Sequence, residues 1–201
     1  SYTIRIVNAS TRRVYAEHIK TPAQHEWEKT VFVFTAPEST DNACFEVITR
    51  NRGEMKIGVV SLMPTDHVLG LRLDVIDKLR EIGPSVLRWP GGNFAGEYHW
   101  KDGLMDVDMR GAQKSVREME THPYTLGFDF HEMAIDDFIQ LCQLVGAEPY
   151  LTINFGRDSA ESCAQFVEYC NGTIDTEWGK IRAERGFEKP YAVKYWSLGN
   201  E

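Results

Sequence analysis

The chain has 201 residues, of which 42% are hydrophobic, and this content is ordinary for a folded protein rather than a disordered one. Its 30 acidic residues against 22 basic ones give a formal net charge of −8, and no run of Lys or Arg is dense. Because phosphate backbones and anionic lipids bind clustered positive charge, we expect neither nucleic acid nor a membrane as partner. The longest apolar runs, such as Val31–Phe34, are far below the roughly 18 to 20 residues that cross a bilayer.

Residues 1 to 63 show short stretches of alternating or β-branched residues, separated by turn-forming Asn, Pro, Ser, Thr and Gly. This pattern predicts strand after strand, as in a β-sandwich or jelly roll. The predicted strands are Tyr2–Val7, Val14–Ile19, Thr30–Phe34, Cys44–Thr49 and Lys56–Leu62. They are too few for two complete sheets, so we expect residues 1–63 to be the later part of such a module, with its beginning upstream.

After Pro64 the hydrophobic spacing becomes that of helices alternating with strands. Helices are predicted around Val75–Ile82, Phe138–Val145 and Cys163–Cys170, and they end at Gly83, Gly146 and Gly172. The third helix is predicted to open at Asp158, with Glu161 placed as in a capping box. The predicted strands are Ser85–Trp89, Pro149–Ile153 and Val193–Leu198.

This alternation predicts a parallel sheet, which either an eightfold barrel or a doubly wound sheet would supply. About 40 residues follow the strand at Ser85–Trp89, whereas the links from helix to strand are short. Since long loops in an α/β barrel lie at the carboxyl ends of the strands, the loop lengths favour the barrel. The predicted fold class is therefore α/β, with part of a (β/α)8 TIM barrel over residues 64–201 after the jelly-roll-like module at 1–63.

Polar residues lie at the carboxyl ends of all three strands of this second part. They are Arg88 with Gly91–Asn93, then Asn154, then Asn200 and Glu201. A guanidinium, carboxamides and a carboxylate at a common mouth suit a polyhydroxylated ligand, because sugar hydroxyls need both donors and acceptors. Each group alone also has a purely structural interpretation, such as a tight turn after the strand at Arg88–Asn93 or a structural Asn-Glu pair.

The spacing of the residues does not match the motifs of metal sites, nucleotide-binding sites or serine nucleophiles. The six histidines include no His-x-x-x-His pair, and the chain has no Cys-x-x-Cys, phosphate-binding glycine loop or Gly-x-Ser-x-Gly. We therefore expect no metal and no cofactor. Cys142, Cys163 and Cys170 are predicted to be buried core thiols. The aromatic group Phe94, Tyr98 and Trp100 predicts either a sugar-stacking wall or packing within the loop.

Five short motifs, in order and spacing, resemble the α-L-arabinofuranosidases of glycoside hydrolase family 51. They are Leu87–Phe94, Tyr98–Gly103, Gly146–Tyr150, Val167–Gly172 and Trp196–Glu201. The resemblance covers about residues 56–201, and the motifs are specific as a set rather than singly. Ser61–Pro64 also resembles the return from a carbohydrate-binding-like module that some members carry inserted near the start of the barrel.

The resemblance implies a retaining glycosidase that releases terminal α-L-arabinofuranosyl residues from arabinan-type or arabinoxylan-type polysaccharides. Glu201 would be the acid/base at the end of the fourth barrel strand, so that residues 64–201 hold about strands 2 to 4. Asn200 would bind the sugar 2-hydroxyl, and Arg88 and Asn93 would be hydrogen-bonding groups of the active site. The nucleophile and the first-strand acid would lie outside this chain, so we expect the chain alone to be inactive.

The sequence departs from the family pattern at Val107–Phe130, and His131 and Ala134 stand where Asn and Gly are usual. These departures leave the aglycone preference and the preferred sugar open, and two alternatives remain beside the arabinofuranosidase interpretation. The same machinery could act on xylosides or β-glucans, or the chain could belong to a non-catalytic carbohydrate-binding protein. The compartment and the oligomeric state stay open too, with an extracellular or periplasmic location favoured over the cytoplasm.

Overall fold

The computed structural model describes residues 1–21, 26–50, 52, 54–114 and 128–200. It divides into two compact units, Ser1–Ile57 and the part of the chain that follows from Gly58. The structure is mixed α/β, with antiparallel strands in the first unit and helices alternating with parallel strands in the second.

The first unit holds a three-stranded antiparallel sheet with the order β2-β1-β3. Its strands are β1 (Tyr2–Asn8), β2 (Val14–Lys20) and β3 (Ala43–Thr49). The turn after β1 forms because the side-chain oxygen of Asn8 accepts backbone hydrogen bonds from Ser10 (3.0 Å) and Thr11 (2.9 Å). The central strand contributes the buried residues of this sheet, Ile6 and Val7.

Two strands predicted in this region are wrong, because Thr30–Phe34 and Lys56–Leu62 form no ladder with a neighbouring strand. Thr30–Phe34 keeps its alternation: Phe32 stacks on His18 with ring centroids 5.1 Å apart, while Val31 and Val33 stay exposed. The apolar residues of Lys56–Leu62 are exposed as well. A side-chain pattern predicts which face is apolar, but a strand also requires a ladder of backbone hydrogen bonds, and none links these two segments to another strand among the described residues.

The second unit is built on a three-stranded parallel sheet with the order β4-β7-β8. Its strands are β4 (Val86–Trp89), β7 (Glu148–Ile153) and β8 (Tyr195–Leu198). The helices are α1 (Leu73–Ile82), α2 (Ile135–Val145), α3 (Ala160–Asn171) and α4 (Glu177–Glu184). The described residues between β4 and α2 form 3-10 turns and a two-stranded ribbon. The turns are Gly92–Gly96, Trp100–Leu104 and Val107–Met109, and the ribbon pairs β5 (Gln113–Lys114) with β6 (Phe128–Asp129).

The helix ends follow local rules. Gly83 (φ 63°) and Gly146 (φ 76°) close α1 and α2 in the left-handed conformation, as predicted. The predicted start of α3 is wrong by one residue, since Ser159 is the cap and its hydroxyl accepts from the backbone nitrogen of Ser162 at 3.0 Å. Asp158 instead accepts the hydroxyl hydrogen bond of Ser162 at 2.6 Å. The helix α4 was not predicted.

One face of the parallel sheet packs against helices. Alternate strand residues join side chains of α2 and α3 in a single apolar core: Leu87, Trp89, Leu151, Ile153, Trp196, Phe138, Ile139 and Phe166. Full burial of a large side chain, such as that of Leu151 or Phe138, stabilises the unit by about 1.5 to 3 kcal/mol. The other face carries the intervening residues, Val86, Arg88, Tyr150, Thr152, Tyr195 and Ser197, which are more polar.

A buried carboxylate connects the helices around this core. Asp136, in the first turn of α2, is 3% exposed. It accepts hydrogen bonds from the hydroxyls of Tyr169 (2.8 Å) on α3 and Tyr191 (2.6 Å) before β8, and from Arg185 Nε (2.9 Å) after α4. Burial, and then the charge of Asp136, raises the pKa of both tyrosines, so both phenols remain donors.

We expect Asp136→Asn to lower the free energy of unfolding by about 3 kcal/mol, because the new amide group would turn N–H donors toward other donors in a buried place. Urea denaturation measures this loss. Asp77→Asn is the matched control, since Asp77 makes only an exposed ion pair with Arg80 (3.1 Å) on α1 and should change stability by about 0.5 kcal/mol or less. Equal losses in the two variants would contradict the role given to Asp136.

Candidate active site

The site begins at the carboxyl end of β4, where the chain leaves the sheet abruptly. Trp89–Pro90 is a cis peptide, Pro90 is buried, and Gly92 follows with φ 61°, a conformation that favours glycine. The next residues form the 3-10 turn Gly92–Gly96, in which Asn93 is exposed. Arg88 precedes this exit and lies on the sheet face opposite the helices.

Arg88 joins all three strands at their carboxyl ends. Its Nε donates to the hydroxyl of Thr152 on β7 at 3.0 Å. Its Nη2 donates to the side-chain oxygen of Asn200, just after β8, at 3.0 Å, and lies 3.3 Å from the Asn200 carbonyl oxygen. The guanidinium carbon also lies 5.8 Å from the ring centroid of Tyr150. A charged donor is therefore fixed among neutral polar groups.

Asn200 follows a tight turn at the end of β8. Gly199 has φ 89°, and its backbone nitrogen donates to the carbonyl of Ile153 at 3.1 Å. This bond extends the link between β7 and β8 beyond the last residue of the strand, so that the half-buried Asn200 lies beside Arg88. Glu201, which the sequence predicts as the acid/base, lies outside the described residues.

The structure brings together Arg88 and Asn200 but not every residue expected at the mouth. Asn93 makes no hydrogen bond to either of them. Asn154 is 6% exposed and uses its side chain to join loops: its Nδ2 donates to the carbonyl of Tyr98 (3.2 Å), and its Oδ1 accepts from the backbone of Arg157 (3.2 Å). Asn154 therefore holds the loop after β4 against the loop after β7.

Of the two interpretations of the aromatic group, the structure favours loop packing for Tyr98 and Trp100, which are 2% and 3% exposed. Tyr98 packs edge-on against Trp89 (4.8 Å between centroids), and Trp100 stacks on Phe166 of α3 (5.0 Å). Phe94 is half-buried against Tyr98. Buried rings of this kind stabilise the loop and leave little surface for a sugar.

Sequence reasoning missed Thr152 and Tyr150. Both lie on the same face of β7 as Arg88 does on β4, because Arg88 pairs in register with Tyr150 and Thr152 is two residues further along. Period-2 alternation backward from Asn154 would have pointed to them. Sequence reasoning also missed the buried Glu97, whose carboxylate lies 3.6 Å from Arg157.

The cysteines are free thiols. Cys142 and Cys170 are buried as predicted, and burial raises the pKa of the Cys142 thiol to about 11. The prediction is wrong for Cys163, which is only half-buried. In the part of the chain that the structure describes, no three His, Cys, Asp or Glu side chains come together in a way that could hold a metal ion.

None of the described helices has the length and apolar character that a membrane span requires.

The fold and the Arg88 cluster define an α/β protein that collects polar groups at the carboxyl ends of parallel strands, as α/β enzymes do. Residues 78–201 match the family model described as the α-L-arabinofuranosidase 1 domain. The chain belongs to the α-L-arabinofuranosidases of glycoside hydrolase family 51.

Individual relatives agree with this membership. A protein named probable α-L-arabinofuranosidase C from Aspergillus fumigatus is 42% identical over 138 residues, which are 69% of this chain and 26% of that protein. The arabinose complex of an α-L-arabinofuranosidase from Thermotoga maritima is 36% identical, with a TM-score of 0.59 over 65% of this chain and 26% of its own. The chain thus spans about a quarter of the length of these two relatives.

A further solved structure extends the likeness in fold to the whole chain. It is an arabinose-bound family 51 α-L-arabinofuranosidase that covers 100% of this chain and 35% of its own, with a TM-score of 0.68. At 17% identity it shows similarity of fold alone.

We expect Asn154→Ala to lower the free energy of unfolding by about 1 to 3 kcal/mol, because the carbonyl of Tyr98 would lose its donor. Thermal unfolding followed by near-ultraviolet circular dichroism reports on the packed aromatic residues nearby. Asn93→Ala is the matched control, and since Asn93 is exposed it should change stability by less than about 0.5 kcal/mol. Equal destabilisation by the two substitutions would mean that Asn154 does not hold the loops.

Proposed function

We propose that this chain is the part of a retaining glycoside hydrolase that supplies the acid/base and a sugar-binding edge, and that the enzyme releases terminal α-L-arabinofuranosyl residues from arabinose-containing polysaccharides or oligosaccharides. The observation that carries the proposal is the hydrogen bond between Arg88 and Asn200 across the strand ends, immediately before Glu201. The names of the family members support the choice of sugar.

The fold part of the proposal is that residues 64–201 form about strands 2 to 4 of a (β/α)8 barrel. The strands β4, β7 and β8 are parallel and adjacent in the order in which they occur in the chain. Helices cover one face, whereas among the described residues no helix of the core cluster packs on the face with Arg88, Tyr150 and Thr152. This is what a barrel wall requires, because its inner face closes on the remaining strands.

For residues 1–63 we propose the later strands of a jelly-roll module. The antiparallel β2-β1-β3 sheet supports this assignment, and so does the match in fold that extends over the whole chain. Among the described residues, three of the five predicted strands form ladders, and we propose that the remaining strands of such a module come from other parts of the protein.

The proposed chemistry uses two carboxyl groups. Glu201 would protonate the glycosidic oxygen while a glutamate from a later barrel strand attacks the anomeric carbon, the two groups being roughly 5 Å apart. A negative charge at that distance, together with burial, keeps a carboxyl protonated near neutral pH. Asn200 would bind the sugar 2-hydroxyl, and Arg88 and Asn93 would offer further hydrogen-bonding groups to the sugar.

The alternative substrates, xylosides and β-glucans, are distinguished by product. The strand-end donors alone do not set the sugar, because one fold supports many specificities. The longer enzyme, meaning the full-length protein of which we propose this chain is a part, should be incubated with matched aryl substrates. We expect it to release arabinose from the α-L-arabinofuranoside faster than xylose from the β-xyloside or glucose from the β-glucoside. Faster release of xylose or glucose would contradict the proposed specificity.

We expect Glu201→Gln in the longer enzyme to slow the cleavage of substrates with poor leaving groups by on the order of 100-fold to 10,000-fold, because the leaving oxygen then receives no proton. An activated aryl leaving group should lose much less at the bond-breaking step. Burst and steady-state rates must be compared, since the same residue activates water in the second step. Equal losses for both substrates at the first step would show that Glu201 is not the acid.

We expect the 201-residue chain by itself to show no glycosidase activity. Three parallel strands cannot close an eight-stranded barrel, and without a nucleophile the oxocarbenium-like transition state has no anionic partner. Release of the aglycone from an aryl α-L-arabinofuranoside measures this directly. Turnover by the purified chain above that of a heat-treated sample would mean that the catalytic residues are misassigned.

A further inference from the structure

Thr152 occupies an unusual position for a polar residue. It lies near the end of β7, is 1% exposed, and stands between Leu151 and Ile153, which enter the apolar core on the helix side of the sheet. Its own side chain lies on the opposite face, with its hydroxyl 3.0 Å from Arg88 Nε. A β-branched residue in the central strand of a sheet has little freedom, so this hydroxyl is a fixed acceptor.

A long side chain such as that of Arg88 keeps a single conformation only when a fixed partner holds it. It is an exposed residue with a long, flexible stem, and holding that stem in one geometry costs side-chain entropy. Its Nε and Nη2 lie on one edge of the planar guanidinium, and this edge reaches Thr152 and Asn200 together. With the Nε end held by Thr152, the Nη2 end is directed at Asn200.

The contact also sets the orientation of the Asn200 side chain. A carboxamide presents an acceptor oxygen on one side and an N–H2 donor on the other. Because Oδ1 accepts from Arg88 Nη2, the Nδ2 group is turned away from the guanidinium. Asn200 therefore presents its Nδ2 group as a donor on the side away from Arg88.

We propose that Thr152 is a positioning residue that acts through Arg88 to fix the donor orientation of Asn200 toward the sugar 2-hydroxyl. This inference rests on the proposed function. Hydrogen bonds to the 2-hydroxyl strengthen in the transition state of glycoside hydrolysis, so loss of the orientation reduces the rate of the chemical step. Period-2 alternation can place Thr152 on the same face as Asn154, but no local pattern pairs it with Arg88, which is 64 residues away.

The kinetic test uses Thr152→Val, which keeps the shape and removes the hydroxyl, and Thr152→Ser, which restores the acceptor. In the longer enzyme we expect Thr152→Val to lower kcat/KM for an aryl α-L-arabinofuranoside by on the order of 10-fold, the usual effect of losing a hydrogen bond to a charged group. Thr152→Ser should recover most of that loss. Thr173→Val is the matched control on an exposed loop and should leave kcat/KM unchanged.

The substrate comparison separates positioning from a general loss of folded enzyme. With the 2-deoxy form of the same aryl substrate, Thr152→Val should lower kcat/KM by less than about threefold, because the group that Asn200 binds is absent. Equal loss on both substrates, or no loss on either, would overturn the proposal. An inactive wild-type enzyme would instead refute the proposed function.

A structural readout tests the positioning independently of activity. Crystal structures of the ligand-free longer enzyme should show one Arg88 conformation in the wild type and in Thr152→Ser. In Thr152→Val the guanidinium should leave Asn200 or adopt several rotamers. An Arg88 side chain that stays on Asn200 in the valine variant would overturn the role of Thr152, whatever the kinetics show.

Discussion

The carboxylate of Asp136 is the constraint on which the second unit depends. It is buried and accepts hydrogen bonds from α3, from the residue after α4 and from the segment before β8. An unpaired buried charge is strongly unfavourable, so the loss of one partner would destabilise the positions of the others. Through them, the helix layer and the entry to β8 are fixed relative to α2.

The position of β8 in turn decides the site. Its four residues pair with β7 in register from Tyr195 opposite Tyr150 to Leu198 opposite Ile153. A slip of one residue would turn the apolar face outward and move Asn200 away from Arg88. The buried network on the helix side of the sheet thus supports a polar cluster on the other side, without sharing any side chain with it.

The long loop after β4 contributes buried aromatic residues to the helix side of the sheet. Its aromatic residues Tyr98 and Trp100 are buried against α2 and α3, and Asn154 joins Tyr98 to the loop after β7. The part of the loop around Tyr98 and Trp100 therefore belongs to the apolar core. Arg88, at the end of β4, and Asn93, near the start of the loop, are exposed.

The sequence by itself determined the features that depend on neighbouring residues. It predicted the helix ends at Gly83 and Gly146, the core strands of the parallel sheet and the family, because caps, periodicity and short motifs are local. It placed strands at Thr30–Phe34 and Lys56–Leu62 that do not form, and it missed Thr152 and the Asp136 network. Only the tertiary structure decided which segments pair as strands and which buried polar groups meet. The reason is that these contacts join residues far apart in the chain, such as Arg88 with Thr152 and Asp136 with Arg185, and no local pattern specifies such partners.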